Sequence, residues 1–321
     1  MDMKRALMSS IVLLDLLVCV TAAMAVTITQ VTSPCPPALC LRHDFEESPR
    51  WSPDGKNIAI LHSSVDLNYQ LTGGNVIAVA APGVTDPETP NLTLGLYSLN
   101  LAPHSFATTQ PTWAPDGQRV ACNYNGELVV LVANDTTVST VAPGTGFWGR
   151  MDWAPHDDAI AVSLAGSLAT IDVATGLMSV IQVGPHAVGD PAWSPDAQWI
   201  AYSDNSAIWI VPSGGGSPTL ITDGGTNKTP SWSPDGQSLA FASDRSGNWD
   251  IWIVDLNSGK TLQVTTDPSL DNCPDWSPDG ERIVFVSQRN AGGFSHIWMA
   301  SDLHTLSVES ATWGEMKRQY R

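Results

Sequence analysis

Pro230-Ser231-Trp232-Ser233-Pro234-Asp235-Gly236 decides the fold, because five other stretches of the chain are versions of it. They are Pro49–Gly55, Pro111–Gly117, Met151–Asp157, Pro191–Ala197 and Pro274–Gly280. Their tryptophans are Trp51, Trp113, Trp153, Trp193, Trp232 and Trp276, at successive spacings of 62, 40, 40, 39 and 44 residues. A period near forty with a padded first unit marks a repeat array rather than a catalytic motif.

Ser-Pro-Asp-Gly suits a type I turn, with Ser opening it, Pro presetting φ and Gly taking the positive φ that closes it. Such a turn joins a short strand ending in Trp to an alternating run such as Ser238–Ala242 or Arg282–Val286. A third strand is expected at Asp250–Asp255 in the fifth unit and Ala207–Val211 in the fourth. A fourth is expected at Leu262–Thr265 and Thr219–Thr222. Four antiparallel strands per unit, six times over, predict an all-β, six-bladed β-propeller spanning residues 49–305. Two units depart from the turn pattern: His156-Asp157 replaces Asp-Gly in unit three, and Ala197 replaces Gly in unit four. Ala197 is expected to carry strain or to force another turn.

The repeats resemble the WD40-like repeats of the TolB family of bacterial propellers, most closely at Ser243-Asp244-Arg245-Ser246-Gly247-Asn248-Trp249-Asp250-Ile251-Trp252. The resemblance runs from Pro49 to about Asp302 and implies a propeller. It implies less about function, since such blades occur in binding proteins, peptidase propeller domains and polysaccharide lyases. The small N-terminal domain that precedes the propeller in TolB itself is expected to be absent, so the role tied to that domain is not carried over.

A net charge of −17 with only 15 Lys plus Arg argues against nucleic acid or an anionic membrane as partner. Residues 1–25 read as a secretory signal: Lys4 and Arg5, an apolar run from Ala6 to Val20, and an Ala23-Met24-Ala25 cleavage site, placing the mature start at Val26. An uncleaved anchor is the alternative, and no other stretch is apolar and long enough to span a bilayer. A periplasmic or secreted protein, monomeric, is therefore expected. An exported compartment permits a disulfide between Cys35 and Cys40 in the loop of the 26–48 segment. Cys122 and Cys273 are expected as free thiols, and no cysteine spacing fits a zinc site.

Val26–Thr32 alternates like a strand, and its Gln30-Val31-Thr32 repeats Gln263-Val264-Thr265 of an outer strand. It is expected to pair with the last blade; Leu306–Trp313, at the start of the 306–321 tail, competes for that place. In the padded unit the later strands are expected at Asn57–His62, Asn75–Ala80 and Gly95–Leu101, with the extra residues in Ser63–Gly74 and Ala81–Thr93. Trp313, Met316 and Tyr320 stand at helical spacing in the tail, which is expected to dock on the propeller.

Of 13 tryptophans, six occupy the repeat position and Trp209, Trp252 and Trp298 the third strand, where packing between blades explains them. Ligands of a propeller are expected at a channel mouth, lined by the connections into each inner strand. Candidates there are His43, Arg50, His104, Trp148, Arg150, His186, Asp190, Lys228, Asp271 and Asn272. Asp152 and Asp275 lie in the same connections. His43, His104 and His186 raise the possibility of a metal, although no metal or other cofactor is expected. Asp244 and Asp250 lack the further acidic ligands of a calcium loop and read as a hairpin. The sequence has no G-x-S-x-G elbow, no H-E-x-x-H and no nucleotide-binding glycine pattern. The expected function is non-catalytic binding of a protein or other cell-envelope macromolecule through the mouth. The alternative is a channel-mouth enzyme, a polysaccharide lyase or glycoside hydrolase, for which convergence of His43, His104, His186 and Arg150 would speak.

Overall fold

The computed structural model describes residues 26–31, 42–66, 76–80, 111–124, 126–132, 138–142, 149–156, 158–181, 188–289 and 295–303. Contacts divide the chain into Ile28–Ser301, which carries the sheets, and a unit of Met1–Thr27 with Asp302–Arg321, of which only 26–27 and 302–303 are described. Among the described residues no helix is long and apolar enough to cross a membrane.

Each repeat folds into one antiparallel sheet, and five of these sheets have four strands. Unit five is representative: Asn227–Trp232, Ser238–Ser243, Asp250–Asp255 and Thr261–Gln263 lie side by side in chain order. Unit one has three strands among the described residues, Arg42–Trp51, Ile58–Asp66 and Val76–Ala80. Its expected fourth strand, Gly95–Leu101, and the Ala81–Thr93 insertion lie outside the described residues. The second strand does not stop at His62 but runs on to Asp66, pairing as far as Arg42, so part of the padding extends a hairpin instead of forming a loop. In unit six, Thr27–Gln30 lies beside His296–Ser301 in the outer position, and the Val31 amide donates to the Ile297 carbonyl (2.9 Å). Leu306–Trp313 and the tail lie outside the described residues.

The turn chemistry recurs almost atom for atom. In unit one the Gly55 amide donates to the Ser52 carbonyl (2.9 Å), the Ser52 hydroxyl to Asp54 (2.7 Å) and the Asn57 amide to the Ser52 hydroxyl (2.9 Å). Units four and five repeat the Ser–Asp bond at 2.6 Å. Gly55 sits at φ 68°, in the left-handed region that glycine enters without a Cβ clash. Ala197 keeps the same turn at φ 57°, so of the two expectations for it, strain is the one realised. Asp157 of unit three lies outside the described residues.

The core lies between neighbouring sheets. One cluster joins Ala192, Ala201 and Ile208 of unit four to Trp232, Leu239, Phe241 and Val254 of unit five. Others join units one and two around Trp113, two and three around Trp153, three and four against Trp193, and six and one around Trp51. The repeat tryptophans therefore pack between blades, and two carry an arginine of the preceding unit on one face: Arg119 over Trp153 (5.0 Å) and Arg282 over Trp51 (4.7 Å). The inner strands touch in a closed cycle from unit one through unit six and back to unit one. The chain is an all-β propeller of antiparallel blades.

Candidate functional site: the channel wall

An inner strand pairs on one side only, so amide groups on its other edge need acceptors from elsewhere. The residue before each repeat tryptophan supplies them where it has a side-chain oxygen. Thr112 accepts from the Trp153 amide (3.0 Å), Asp152 from Trp193 (2.6 Å), Ser231 from Trp276 (3.2 Å) and Asp275 from Trp51 (2.8 Å). Arg50 and Ala192 have no such oxygen. There the next tryptophan turns its indole to the main chain, Trp113 donating to the Arg50 carbonyl (3.1 Å) and Trp232 to the Ala192 carbonyl (3.0 Å). The buried indole N–H groups of Trp51, Trp153, Trp193 and Trp276, the four on side-chain latches, have no hydrogen-bond partner among the described residues.

The pre-tryptophan residues other than Ala192, the six tryptophans and five of the turn prolines line a cavity of about 300 Å³ at the turn end of the channel. Its charged wall is Arg50, Asp152 and Asp275. Arg50, 6% exposed, donates to Asp275 (3.0 Å), lies 3.6 Å from Asp152 and reaches the Met151 carbonyl (3.4 Å). Burial alone would lower the Arg50 pKa, but the Asp152 and Asp275 carboxylates outweigh it and hold it above its ordinary value. Burial pushes the Asp152 carboxyl up despite the pull of Arg50 and the Trp193 amide. Ser231 also donates to Asp275 (3.2 Å). The result is one guanidinium of unit one shared by carboxylates of units three and six.

Two residues further back the inner strands bulge. Ser48, Asp190, Thr229 and Cys273, each three before its tryptophan, take φ of 57°, 50°, 52° and 55°. Four non-glycine residues in the left-handed region along one wall are strained, Thr229 most because it is β-branched. Here a second tier of links crosses between units. Asp190 accepts from Ser203 (2.9 Å) and from the Thr229 amide (3.2 Å), and Thr229 donates to Asn272 (3.2 Å). Arg150 occupies the same tier in unit three, is 2% exposed, and none of its three guanidinium nitrogens has a hydrogen-bond partner among the described residues. Burial pushes its pKa down.

Of the ten residues expected at the mouth, Arg50, Arg150, Asp190 and Asn272 line these two tiers. Lys228 lies over the Trp249 ring (5.6 Å). Asp271 is fully buried and paired with Arg289, which stacks on Phe285 (5.2 Å) and Trp298 (5.1 Å), so its carboxylate is engaged within its own blade. Unit five repeats this arrangement with Asn227 and Arg245 (2.8 Å). His43 falls on the Arg42–Trp51 strand, with its side chain outside the described residues. His104, Trp148 and His186 lie outside them altogether, as do Cys35 and Cys40. Cys122 is buried and Cys273 half-buried, both free thiols. Among the described residues no three His, Cys, Asp or Glu side chains gather as a metal site. Asp244 and Asp250 hold a hairpin: Asp244 accepts from the Thr226 amide (2.6 Å), and Asp250 from Ser246 (2.6 Å) and Gln263 (2.9 Å). Sequence reasoning missed Thr112, Ala192 and Ser231. Their signal was the position before each repeat tryptophan, the place in the motif whose chemistry changes most from unit to unit.

Antiparallel sheets ringing a channel, each inner strand ending in Trp and a turn of the Ser-Pro-Asp-Gly type, define the WD40-like class of propellers. Residues 147–319 of the 321 match the family model described as the TolB beta propeller domain, and the chain belongs to that family. Among solved structures it is similar to a protein described as a TolB from Agrobacterium tumefaciens (25% identity, 59% of this chain and 75% of that one, TM-score 0.51). It is also similar to TolB from Acinetobacter baumannii (17% identity, 81% of this chain and 64% of that one, TM-score 0.53). A third is an oligogalacturonate lyase from Vibrio parahaemolyticus (12% identity, 86% of this chain and 97% of that one, TM-score 0.50). The last two likenesses are of fold alone, and the chain spans less than two thirds of the Acinetobacter protein. A search of curated proteins found no match.

Proposed function

We infer that the protein is an exported, non-catalytic propeller that binds a protein or another cell-envelope macromolecule at its channel. What carries this reading is the contrast between a constant frame and a variable wall. The tryptophan holds in all six units and the turn in most, whereas the position before the tryptophan reads Arg50, Thr112, Asp152, Ala192, Ser231 and Asp275. Such a wall is where a repeat scaffold acquires specificity. The three-stranded sheet of unit one is the sixth blade. Residues 1–25 direct export, consistent with membership in the TolB propeller family, and the acidic surface suits an extracytoplasmic monomer without nucleic-acid partners.

The test is site-specific photo-crosslinking in the producing cell, from Lys228 and Asn272 at the channel and from Met178 on an exposed outer strand. The expected result is one cross-linked envelope protein from the channel positions and none from Met178. In parallel, purified protein is incubated with polygalacturonate and other acidic polysaccharides. Release of unsaturated sugars, abolished by substitutions at the channel, would replace binding by lyase chemistry.

A further inference from the structure

Among the arginines whose side chains are described, Arg150 stands apart. Arg50, Arg119, Arg245, Arg282 and Arg289 each donate to at least one side chain. Arg150 is as buried as any of them, yet Nε and both terminal nitrogens have no hydrogen-bond partner among the described residues. The charges acting on it sit on other sheets: Arg50 in unit one, Asp190 in unit four and Asp275 in unit six. Only a side chain directed at the channel axis faces all of these at once. Its neighbours' hydrogen bonds are committed elsewhere. Asp275 serves Arg50, Ser231 and the Trp51 amide, and Asp190 serves Ser203 and Thr229. A buried guanidinium whose donors are all unfilled is unfavourable even with Asp190 and Asp275 in range of its charge, and a ligand that accepts from those donors removes that cost.

We propose that Arg150 anchors a carboxylate-binding site inside the channel, gripping the two oxygens of a ligand carboxylate with its planar fork. The charge around it selects this chemistry. Asp152, Asp190 and Asp275 surround two guanidinium groups, and Arg50 is already shared by two of those carboxylates. Three carboxylates thus face two guanidinium groups, so it is the unfilled donors of Arg150 and not a surplus of positive charge that call for a ligand. A monoanion adds less negative charge to this wall than a phosphate dianion. The bidentate geometry is the one that guanidinium and carboxylate share. The carboxylate can belong to a small free acid or to the C-terminus of a peptide chain. A site here presupposes that the channel is the binding surface, as argued above.

The experiment is a thermal-shift and calorimetric titration of the purified protein at constant ionic strength. The probes are sodium acetate, acetamide, sodium chloride, inorganic phosphate, trialanine and trialanine amide. Acetate is expected to raise the melting temperature where acetamide, chloride and phosphate do not, and Arg150→Met is expected to lose that response. Trialanine acting where its amide does not would make a chain terminus the source; acetate acting alone would make it a small acid. Equal responses to acetate and chloride would overturn the proposal. So would an Arg150→Met protein with a native near-UV spectrum that still responds to acetate. Should Arg150→Met fail to fold, Arg150→Lys keeps the charge without the fork and is expected to weaken acetate binding; unchanged binding overturns the proposal. Failure of acetate with channel cross-links retained removes the carboxylate site and leaves macromolecular binding standing. Acetate binding without cross-links does the reverse.

Discussion

Two kinds of seam hold neighbouring blades together along the channel, and they differ in which atom of the tryptophan is used. Where the preceding unit offers Thr112, Asp152, Ser231 or Asp275, the tryptophan main-chain amide is bonded and its buried indole N–H is left over. Where it offers Arg50 or Ala192, the indole takes the carbonyl instead. The frame therefore tolerates any residue at that position, because two donors on one tryptophan can close the seam in two ways. Freedom of sequence at the wall follows from redundancy in the frame.

The seam between units six and one should be the most sensitive. Asp275 there is at once the acceptor for the Trp51 amide and the nearest counter-charge of buried Arg50. Asp275→Ala leaves an arginine in the interior with only Asp152 at 3.6 Å, and removing one partner of a buried pair costs about 3–5 kcal/mol. Chemical denaturation should show that loss. Asp275→Ala combined with Arg50→Met should recover a large part of it, because the stranded charge is then gone. A double variant no more stable than Asp275→Ala would mean that the carboxylate acts on the seam alone.

The frame was legible in the sequence because its causes are local. Ser-Pro-Asp-Gly dictates a turn, alternation dictates strands, and the spacing of Trp51 to Trp276 counts the units. Even the strain at Ala197 could be read, since the motif puts positive φ at that place. The candidate site was only half legible. Arg50, Arg150, Asp190 and Asn272 came from their position in the connections. Asp271 came from the same logic, but it meets Arg289 within its own blade, a pairing between strands that no spacing rule reveals. Thr112, Ser231 and Ala192 were passed over because none carries a charge. Their role rests on the neighbouring unit's amide, and only the folded ring brings the two together. The unfilled donors of Arg150 are likewise a property of the assembled wall.

A subtler comparison uses the two seams directly. Trp232 and Trp276 occupy the same repeat position, but only the Trp232 indole is bonded. Phenylalanine at either place loses similar packing, so the difference between Trp232→Phe and Trp276→Phe isolates the indole bond. It should be about 1 kcal/mol, with Trp232→Phe the less stable. Equal losses in urea titrations would mean that the Ala192 carbonyl finds another donor, and the division into two seams would lose its energetic meaning.

The smallest effect belongs to the rim of turns, where units one, four, five and six all place a Ser hydroxyl on the turn Asp. Hydrogen bonds from the Ser52 and Ser194 hydroxyls, together with the amides of Lys56 and Gln198, hold the carboxyls of Asp54 and Asp196 below the ordinary 3.8. A carboxyl whose folded value is depressed contributes stability above its unfolded value and loses it as the pH falls through the folded one. Ser194→Ala removes the leading cause at Asp196. The variant should therefore be slightly less stable than the parent at neutral pH, with the gap closing as the pH is taken below 3.8. Melting temperatures of the two proteins followed from neutral to acid pH test this. The wall gives the opposite sign, since burial raises Asp152, whose contribution to stability declines as the pH rises through its ordinary range. A gap that stayed the same in acid would mean that Ser194 matters to the turn through its bond to the Trp199 amide (2.9 Å), not through the carboxylate. The rim would then be held by the serine, and the aspartate would be its solvated companion.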